Sequence, residues 1–247
     1  MQPIPPSIGR FPRRRAGTAA VAVVALGAVV LSGCGAISAA KKIEHDVRGN
    51  KATIDAFTGK IQSAAATPFV ATYATTGSSP ATVVYAVDPP KNLAFTDTPS
   101  SGGTGVHFIA NSSGDFVCTP TASAGTSCQK LAAGSASTER DLIDLYTPAH
   151  WVAFLQDFSL AAGIAGDQVT SSSMTVNGFA LQCVNFATPG QSGTSTICTT
   201  AQGILGYVKV ADDSTSFEIT NYSASPPASL FVPPPGATIT TVPATNS

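Results

Sequence analysis

Charged side chains are scarce in this chain of 247 residues: Lys, Arg, Asp and Glu make up 11%, and the formal net charge is −1. This scarcity excludes a charge-rich disordered protein, and the lack of a basic excess removes the usual electrostatic basis for nucleic-acid binding. Aromatic residues are also few at 7%, whereas hydrophobic residues reach 43%. A chain of this length and balance can bury a sizeable core. We therefore expect a globular protein that does not bind nucleic acid.

Local motifs for catalysis and for cofactors are missing as well. The sequence has no phosphate-binding loop, no nucleophile elbow and no His pair at metal-binding spacing. Its three His residues, His45, His107 and His150, lie far apart, and we interpret each as a structural or surface residue. We assign no catalytic residue, no metal ligand and no cofactor. An envelope hydrolase that depends on His107 or His150 remains an alternative.

The first 33 residues have the features of an export signal. Four Arg residues, Arg10 and Arg13 to Arg15, precede the uncharged run 16–30, which is shorter than the about 20 residues of a spanning helix. The sequence Leu31-Ser32-Gly33-Cys34 follows, and it resembles the lipobox of bacterial lipoproteins. A plain signal peptide or a short anchor is the alternative. We expect the general secretory route, and the Arg cluster keeps twin-arginine export open.

The lipobox resemblance implies a mature chain that begins at Cys34. In such lipoproteins the Cys thiol carries a diacylglyceryl group, whose two chains hold the protein on the extracytoplasmic face of the cell membrane. Removing residues 1–33 takes away four Arg and no acid, so 9 basic and 14 acidic side chains remain. That balance opposes adsorption to an anionic surface. The lipid, rather than charge, is expected to anchor the protein.

The other four cysteines, Cys118, Cys128, Cys183 and Cys198, are an even number in a protein expected to be exported. Four cysteines allow three pairings. We favour Cys118–Cys128 and Cys183–Cys198, because each pair flanks a short polar segment that contains Gly. The spacings are too wide for a typical zinc site, and no C-x-x-C redox motif occurs. Disulfides are the expected state of all four.

Hydrophobic periodicity predicts an amphipathic helix in residues 34–66, weakened at Gly49 and Asn50, and then two sets of strands. Period-two patterns cover much of 69–131 and 172–222, and Asn177-Gly178 is a strong hairpin signal.

Two helices are predicted between the sets of strands, beginning near Thr138 and Thr147, with Trp151, Phe154 and Phe158 on one face of the second. Residues 67–235 are predicted to form a single domain. The Pro-rich end follows, in which Phe231 is a candidate for docking and residues 236–247 are expected to be a disordered tail.

The order of lipobox, N-terminal helix, strands, helices and further strands resembles the LolA-like superfamily, which includes the LppX-LprG lipoproteins. The resemblance implies an α+β fold: a curved antiparallel sheet forms a half-barrel, helices pack on its concave face, and an apolar hollow holds acyl chains. The residues that would line such a hollow are Tyr73, Tyr85, Phe108, Trp151, Phe154, Phe158, Phe179 and Tyr207.

Two functions follow as hypotheses. The first is a membrane-anchored carrier or chaperone that binds a lipid, or another amphiphile or lipoprotein, in the hollow. The second is an envelope sensor or interaction module that carries no lipid and contacts a partner protein. In the second case the same aromatic residues simply fill a solid core.

Overall fold

A computed structural model of the chain describes residues 35–64, 66–77, 80–102, 104–121, 125–132, 152–153, 155, 168–190, 192–211 and 214–242, with the main chain alone for 35–49. Both the leader 1–33 and Cys34 lie outside the described residues. The chain divides into two units, residues 1–38 and 39–247. The first is described only for residues 35–38, which are helical.

The helix α1 runs from Gly35 to Ala64 without a break at Gly49 or Asn50. The C-terminal half of its apolar face contains Ile54, Phe57 and Ile61, which are at most 6% exposed. Tertiary packing of this face supplies the stability that the local sequence lacks, because helices depend more on packing than on propensity. The predicted amphipathic helix is therefore confirmed over its second half, where side chains are described.

The described residues after α1 contain twelve strands, and all of these pair in one sheet. Their sheet order is β12-β6-β5-β4-β3-β2-β1-β11-β10-β9-β8-β7, with antiparallel neighbours except for β12 beside β6. The strands are β1 (Phe69–Thr75), β2 (Ala81–Asp88), β3 (Asn92–Pro99), β4 (Val106–Asn111), β5 (Gly114–Thr121), β6 (Gly125–Lys130), β7 (Gln168–Val176), β8 (Phe179–Ala187), β9 (Ser195–Thr199), β10 (Leu205–Lys209), β11 (Ser216–Ser223) and β12 (Thr238–Thr241).

The sheet is open and curved, as the turn between β7 and β8 shows. Asn177 and Gly178 form this turn with φ of 49° and 85°, the left-handed pair that an Asn-Gly hairpin adopts. The Nδ2 of Asn177 donates a hydrogen bond to the carbonyl oxygen of Ile219 in β11, 3.0 Å away. In a flat sheet β8 and β11 would lie about 14 Å apart, because two strands separate them and neighbouring strands are about 4.8 Å apart. Curvature closes that gap.

Buried side chains form clusters on both sides of β8 and β9. One cluster joins α1 to the cross-strand row Val184, Ile197, Val208 and Phe217. The other contains Cys183 and Cys198, which point to the opposite side because side chains alternate along a strand. We call the latter the aromatic cluster, since it also contains Phe69, Tyr73, Tyr85, Phe95 and Phe108.

The C-terminal residues differ from the predicted disordered tail. A 3₁₀ turn at Ala228–Phe231 buries Phe231 to 5% exposure against Ala86 and Ala94, so the docking of this residue is confirmed. Thr238–Thr241 then pairs with β6 as the parallel strand β12. All four residues of β12 are exposed, so main-chain hydrogen bonding holds the strand in the sheet. Its sequence has no hydrophobic pattern that would predict a strand.

The two helices predicted before β7 lie mostly outside the described residues. Val152, Ala153 and Leu155 are helical, and Val152 and Leu155 are buried against the α1 cluster. Among the helices of the described ranges, none is both long and apolar enough to cross a membrane.

Candidate binding site

The four cysteines form the two disulfides that the sequence favours. Cys118 bonds Cys128 across β5 and β6, and Cys183 bonds Cys198 across β8 and β9, with S–S distances of 2.08 and 2.05 Å. In each case the two residues stand directly opposite each other in the strand register. All four are at most 2% exposed, so both bonds are structural parts of the core.

Five of the eight residues expected to line a hollow are described, and the structure brings all five together. Tyr73, Tyr85 and Phe108 belong to the aromatic cluster, and Phe179 and Tyr207 pack against it. Burial raises the pKa of the Tyr207 hydroxyl, and the nearby Glu218 carboxylate raises it further, so this hydroxyl stays protonated. The other three, Trp151, Phe154 and Phe158, lie outside the described residues, as does His150.

The central members of this cluster are packed against protein atoms. Tyr73, Tyr85 and Phe108 are 2%, 1% and 3% exposed, which leaves almost no surface that a water molecule could touch. The ring of Tyr73 stacks on Phe217 with centroids 4.2 Å apart, and Tyr85 meets Phe69 at 5.7 Å. Ring contacts at these distances are typical of a filled core.

A groove of about 450 Å³ lies between α1 and the strands β7 and β8. Polar and apolar atoms contribute about equally to its walls: the strands supply hydroxyls and one amide, and the helix supplies one ammonium. The lining residues are Thr53, Ala56, Phe57 and Lys60 of α1, Ser171, Ser172 and Ser173 of β7, and Gln182, Cys183 and Val184 of β8.

Among the described residues that line this groove, Lys60 is the one ionisable side chain. The Nζ of Lys60 donates a hydrogen bond to Oε1 of Gln182 on β8. On the same helix Lys51 is exposed and forms an ion pair with Asp55 at 2.7 Å, away from the groove lining. Sequence reasoning missed this groove. The signal was present in Ser171 to Ser173, a run that is polar on both faces of a strand.

A second pocket, of about 380 Å³, lies beside the connection between β3 and β4, and His107 is part of its lining. The imidazole donates a hydrogen bond to the main-chain carbonyl of Leu230, while its Nε2 atom is buried without a partner. Burial lowers the pKa of His107, and the bond to Leu230 offsets part of this effect. The imidazole therefore contacts the main chain of the C-terminal segment.

Two further buried polar atoms of the described residues have no hydrogen-bond partner. Oδ1 of Asp97 is buried without a partner, and burial raises the pKa of that carboxyl. Oγ1 of Thr199 is also buried and unpaired. Within the described ranges no three His, Cys, Asp or Glu side chains gather closely enough to hold a metal ion.

The fold and the groove define an α+β domain with a partly polar cleft at one end of its sheet. No protein-family model matches the chain, and no curated protein matches it in sequence. Among solved structures, the chain is similar to the crystal structure of MucB, with a TM-score of 0.46 and 10% sequence identity. The match covers 75% of this chain and 64% of the MucB chain, so the chain spans less than two thirds of its neighbour.

Proposed function

We propose that this protein is an exported lipoprotein, anchored through Cys34 on the outer side of the cell membrane, whose folded domain binds a partner protein of the cell envelope. The observation that carries the proposal is the pairing of a filled aromatic cluster with an open polar groove. Tyr73, Tyr85 and Phe108 are at most 3% exposed, whereas the groove between α1 and β7 offers hydroxyls, an amide and an ammonium. Polar groups arranged in this way suit a polypeptide better than acyl chains.

The anchor rests on the sequence of residues 1–34. The test compares the full chain with its Cys34→Ser variant in a bacterial host that processes lipoproteins. The wild-type protein should incorporate radiolabelled palmitate and partition into the detergent phase. The variant should incorporate no label. A wild-type protein that stays unlabelled contradicts the anchor and leaves a plain signal peptide.

A second candidate function is the carrier of a lipid or another amphiphile. It is favoured by the gathering of five predicted lining residues at one cluster, where Phe179 and Tyr207 are only partly buried. Burial of acyl chains there would contribute about 25 cal/mol per Å² of apolar surface.

Native mass spectrometry separates the two functions. The protein is purified from the envelope in a mild detergent, and its intact mass is compared with the mass of the lipidated chain. We expect a mass that corresponds to the anchor and two disulfides alone. A further discrete mass in the lipid range, released by organic extraction, would make the carrier the primary function.

A further inference from the structure

The two ends of the sheet differ in a way that bears on partner binding. At one end β12 is four residues long and runs parallel to β6. At the other end β7 is nine residues long, pairs with β8 in unbroken register, and has no described strand on its outer side. Edge strands that must stay unpaired are usually shortened, bulged or given charged residues or Pro. The sequence of β7, QVTSSSMTV, contains none of these.

The groove described above runs along the same strand. Thr170 to Ser173 are exposed in succession, so the middle of β7 is open on both faces. A chain segment placed beside β7 would extend the sheet, and every second side chain would then point toward α1. The groove beside that face is lined by Ser171, Ser172 and Ser173 of β7, by Gln182, Cys183 and Val184 of β8, and by Thr53, Ala56, Phe57 and Lys60 of α1. Main-chain bonding combined with a pocket for alternate side chains is a known mode of peptide recognition.

Charge decides which segment suits this edge best. The described lining residues of the groove carry one formal charge, the ammonium of Lys60. A second copy of this chain, paired through its own β7, would bring only uncharged side chains to that ammonium. An extended segment with Asp or Glu at a helix-facing position would bring a carboxylate instead. Charge complementarity therefore favours an acidic segment of another protein.

We propose that the outer edge of β7 binds an extended acidic segment of a partner protein by strand addition, with a carboxylate of that segment placed beside Lys60. The inference rests on the proposed function as an interaction module and adds the site and the chemistry of the partner. Lys60 sets the preference for acidic side chains, and the main chain of β7 provides most of the contact.

The test selects linear nine-residue peptides from a phage-displayed library against the lipidated protein in detergent micelles. A synthetic copy of the best binder is then measured by titration, together with its Asp or Glu to Asn or Gln variant. Hydrogen exchange of the amides in residues 168–176 locates the site. We expect a carboxylate at one position of the selected peptides, and slower exchange in β7 when the peptide is bound.

Two sets of variants separate main-chain pairing from charge. The variants Ser172→Pro and Ser173→Pro each remove one amide N–H of β7. Neighbouring amides of a strand point in opposite directions, so one of these N–H groups points toward β8 and the other points outward. The variant that removes the outward N–H keeps the pairing with β8 and should abolish binding. Lys60→Glu should weaken the acidic peptide by about five- to twentyfold, because it replaces an attraction with a repulsion. Lys51→Glu is the matched control on the same helix and should change the affinity less than twofold.

Each other result contradicts the proposal. A library that yields no linear binder, or binders indifferent to Lys60→Glu, rejects the acidic segment. Slow exchange of the outward-pointing amides of β7 in the free monomer means that the chain itself covers this edge; the amides bonded to β8 are slow in any case. Protection of the outward-pointing amides only where a concentration-dependent dimer forms means that a second copy occupies the edge. None of these results bears on the proposed lipid anchor or on the proposed absence of lipid cargo, because palmitate labelling and the native mass test those two points separately.

Discussion

Asn111, at the end of β4, donates a hydrogen bond from Nδ2 to the carbonyl oxygen of Phe231, at a distance of 2.7 Å. The two residues are 120 positions apart, and the bond fastens the C-terminal segment to the sheet. The Oδ1 atom of Asn111 accepts a second bond from the amide of Ser113, which fixes the turn after β4. One side chain thus joins a hairpin to the end of the chain.

The first prediction concerns this fastening. Asn111→Ala should lower the free energy of unfolding by about 1–3 kcal/mol, because it leaves a part-buried carbonyl without its donor. Phe231→Ala should cost about 3–5 kcal/mol through the cavity that it leaves. Urea unfolding followed by circular dichroism measures both. The control is Val232→Ala, at a residue that is 49% exposed, and it should stay within about 0.5 kcal/mol of wild type. Equal losses for all three would contradict the docking of Phe231.

The second prediction compares two glycines near α1. Gly203 has a φ of +79°, and a Cβ there would overlap the main-chain oxygen of Lys60. Gly203→Ala should therefore destabilise the fold by more than about 2 kcal/mol, because both the φ and the space are wrong for Ala. Gly59 lies inside α1 with open space around its Cα, so Gly59→Ala should stabilise by about 0.5–1 kcal/mol. Thermal melts of the two variants should move in opposite directions. A Gly203→Ala variant as stable as wild type would rule out this approach of the loop to the helix.

The third prediction is a pH dependence at His107. Its pKa in the folded protein is lowered from 6.5 by burial, so the unfolded chain takes up a proton at higher pH than the folded one. Stability from this residue is complete above about pH 6.5 and falls as the pH drops toward the lowered pKa. We expect urea midpoints to fall less between pH 7.5 and 5 in His107→Gln than in wild type. Parallel midpoint curves for the two proteins would show that His107 does not contribute.

The fourth prediction concerns the disulfides. The closed segments have sequence separations of 10 and 15, for which the entropy model gives a stabilisation of about 2–4 kcal/mol each. Replacing Cys183 and Cys198 together by Ala should lower the free energy of unfolding by at least that amount, since both are buried in the aromatic cluster. The same change at Cys118 and Cys128 is the comparison. A thiol assay on the denatured wild-type domain should find no free thiol, and two or more would contradict the pairing.

Much of the second unit could be predicted from local patterns. Strand alternation predicted two sets of strands within 69–131 and 172–222, and β1 to β11 fall largely in these ranges, where buried faces and turns such as Asn177-Gly178 mark them. The spacing of Ile54, Phe57 and Ile61 identified the buried face of α1. The paired cysteines could be chosen because each pair flanks a hairpin, which brings two residues of short separation into register. The strand β12 could not be predicted, because its four exposed residues carry no hydrophobic signal.

The candidate site was harder to predict than the fold. The aromatic residues Tyr73, Tyr85 and Phe108 were found by type, but sequence could not say whether they border a space or fill one. That distinction depends on the distance between packed surfaces, which the register and curvature of the sheet set. Lys60 and Gln182 are 122 positions apart, and only their contact reveals the groove.

The sequence by itself determined the expectation of export and of a lipid anchor at Cys34, the helix and strand content, and the two cysteine pairs, because each depends on residues close together in the chain. Tertiary structure decided which described strands stand at the ends of the sheet, that Tyr73, Tyr85 and Phe108 are buried, and that Lys60 of α1 lines one groove with residues of β7. The physical reason is that sheet order and curvature arise from contacts between residues far apart in sequence. Such contacts produce no periodic hydrophobic pattern within any one segment of the sequence.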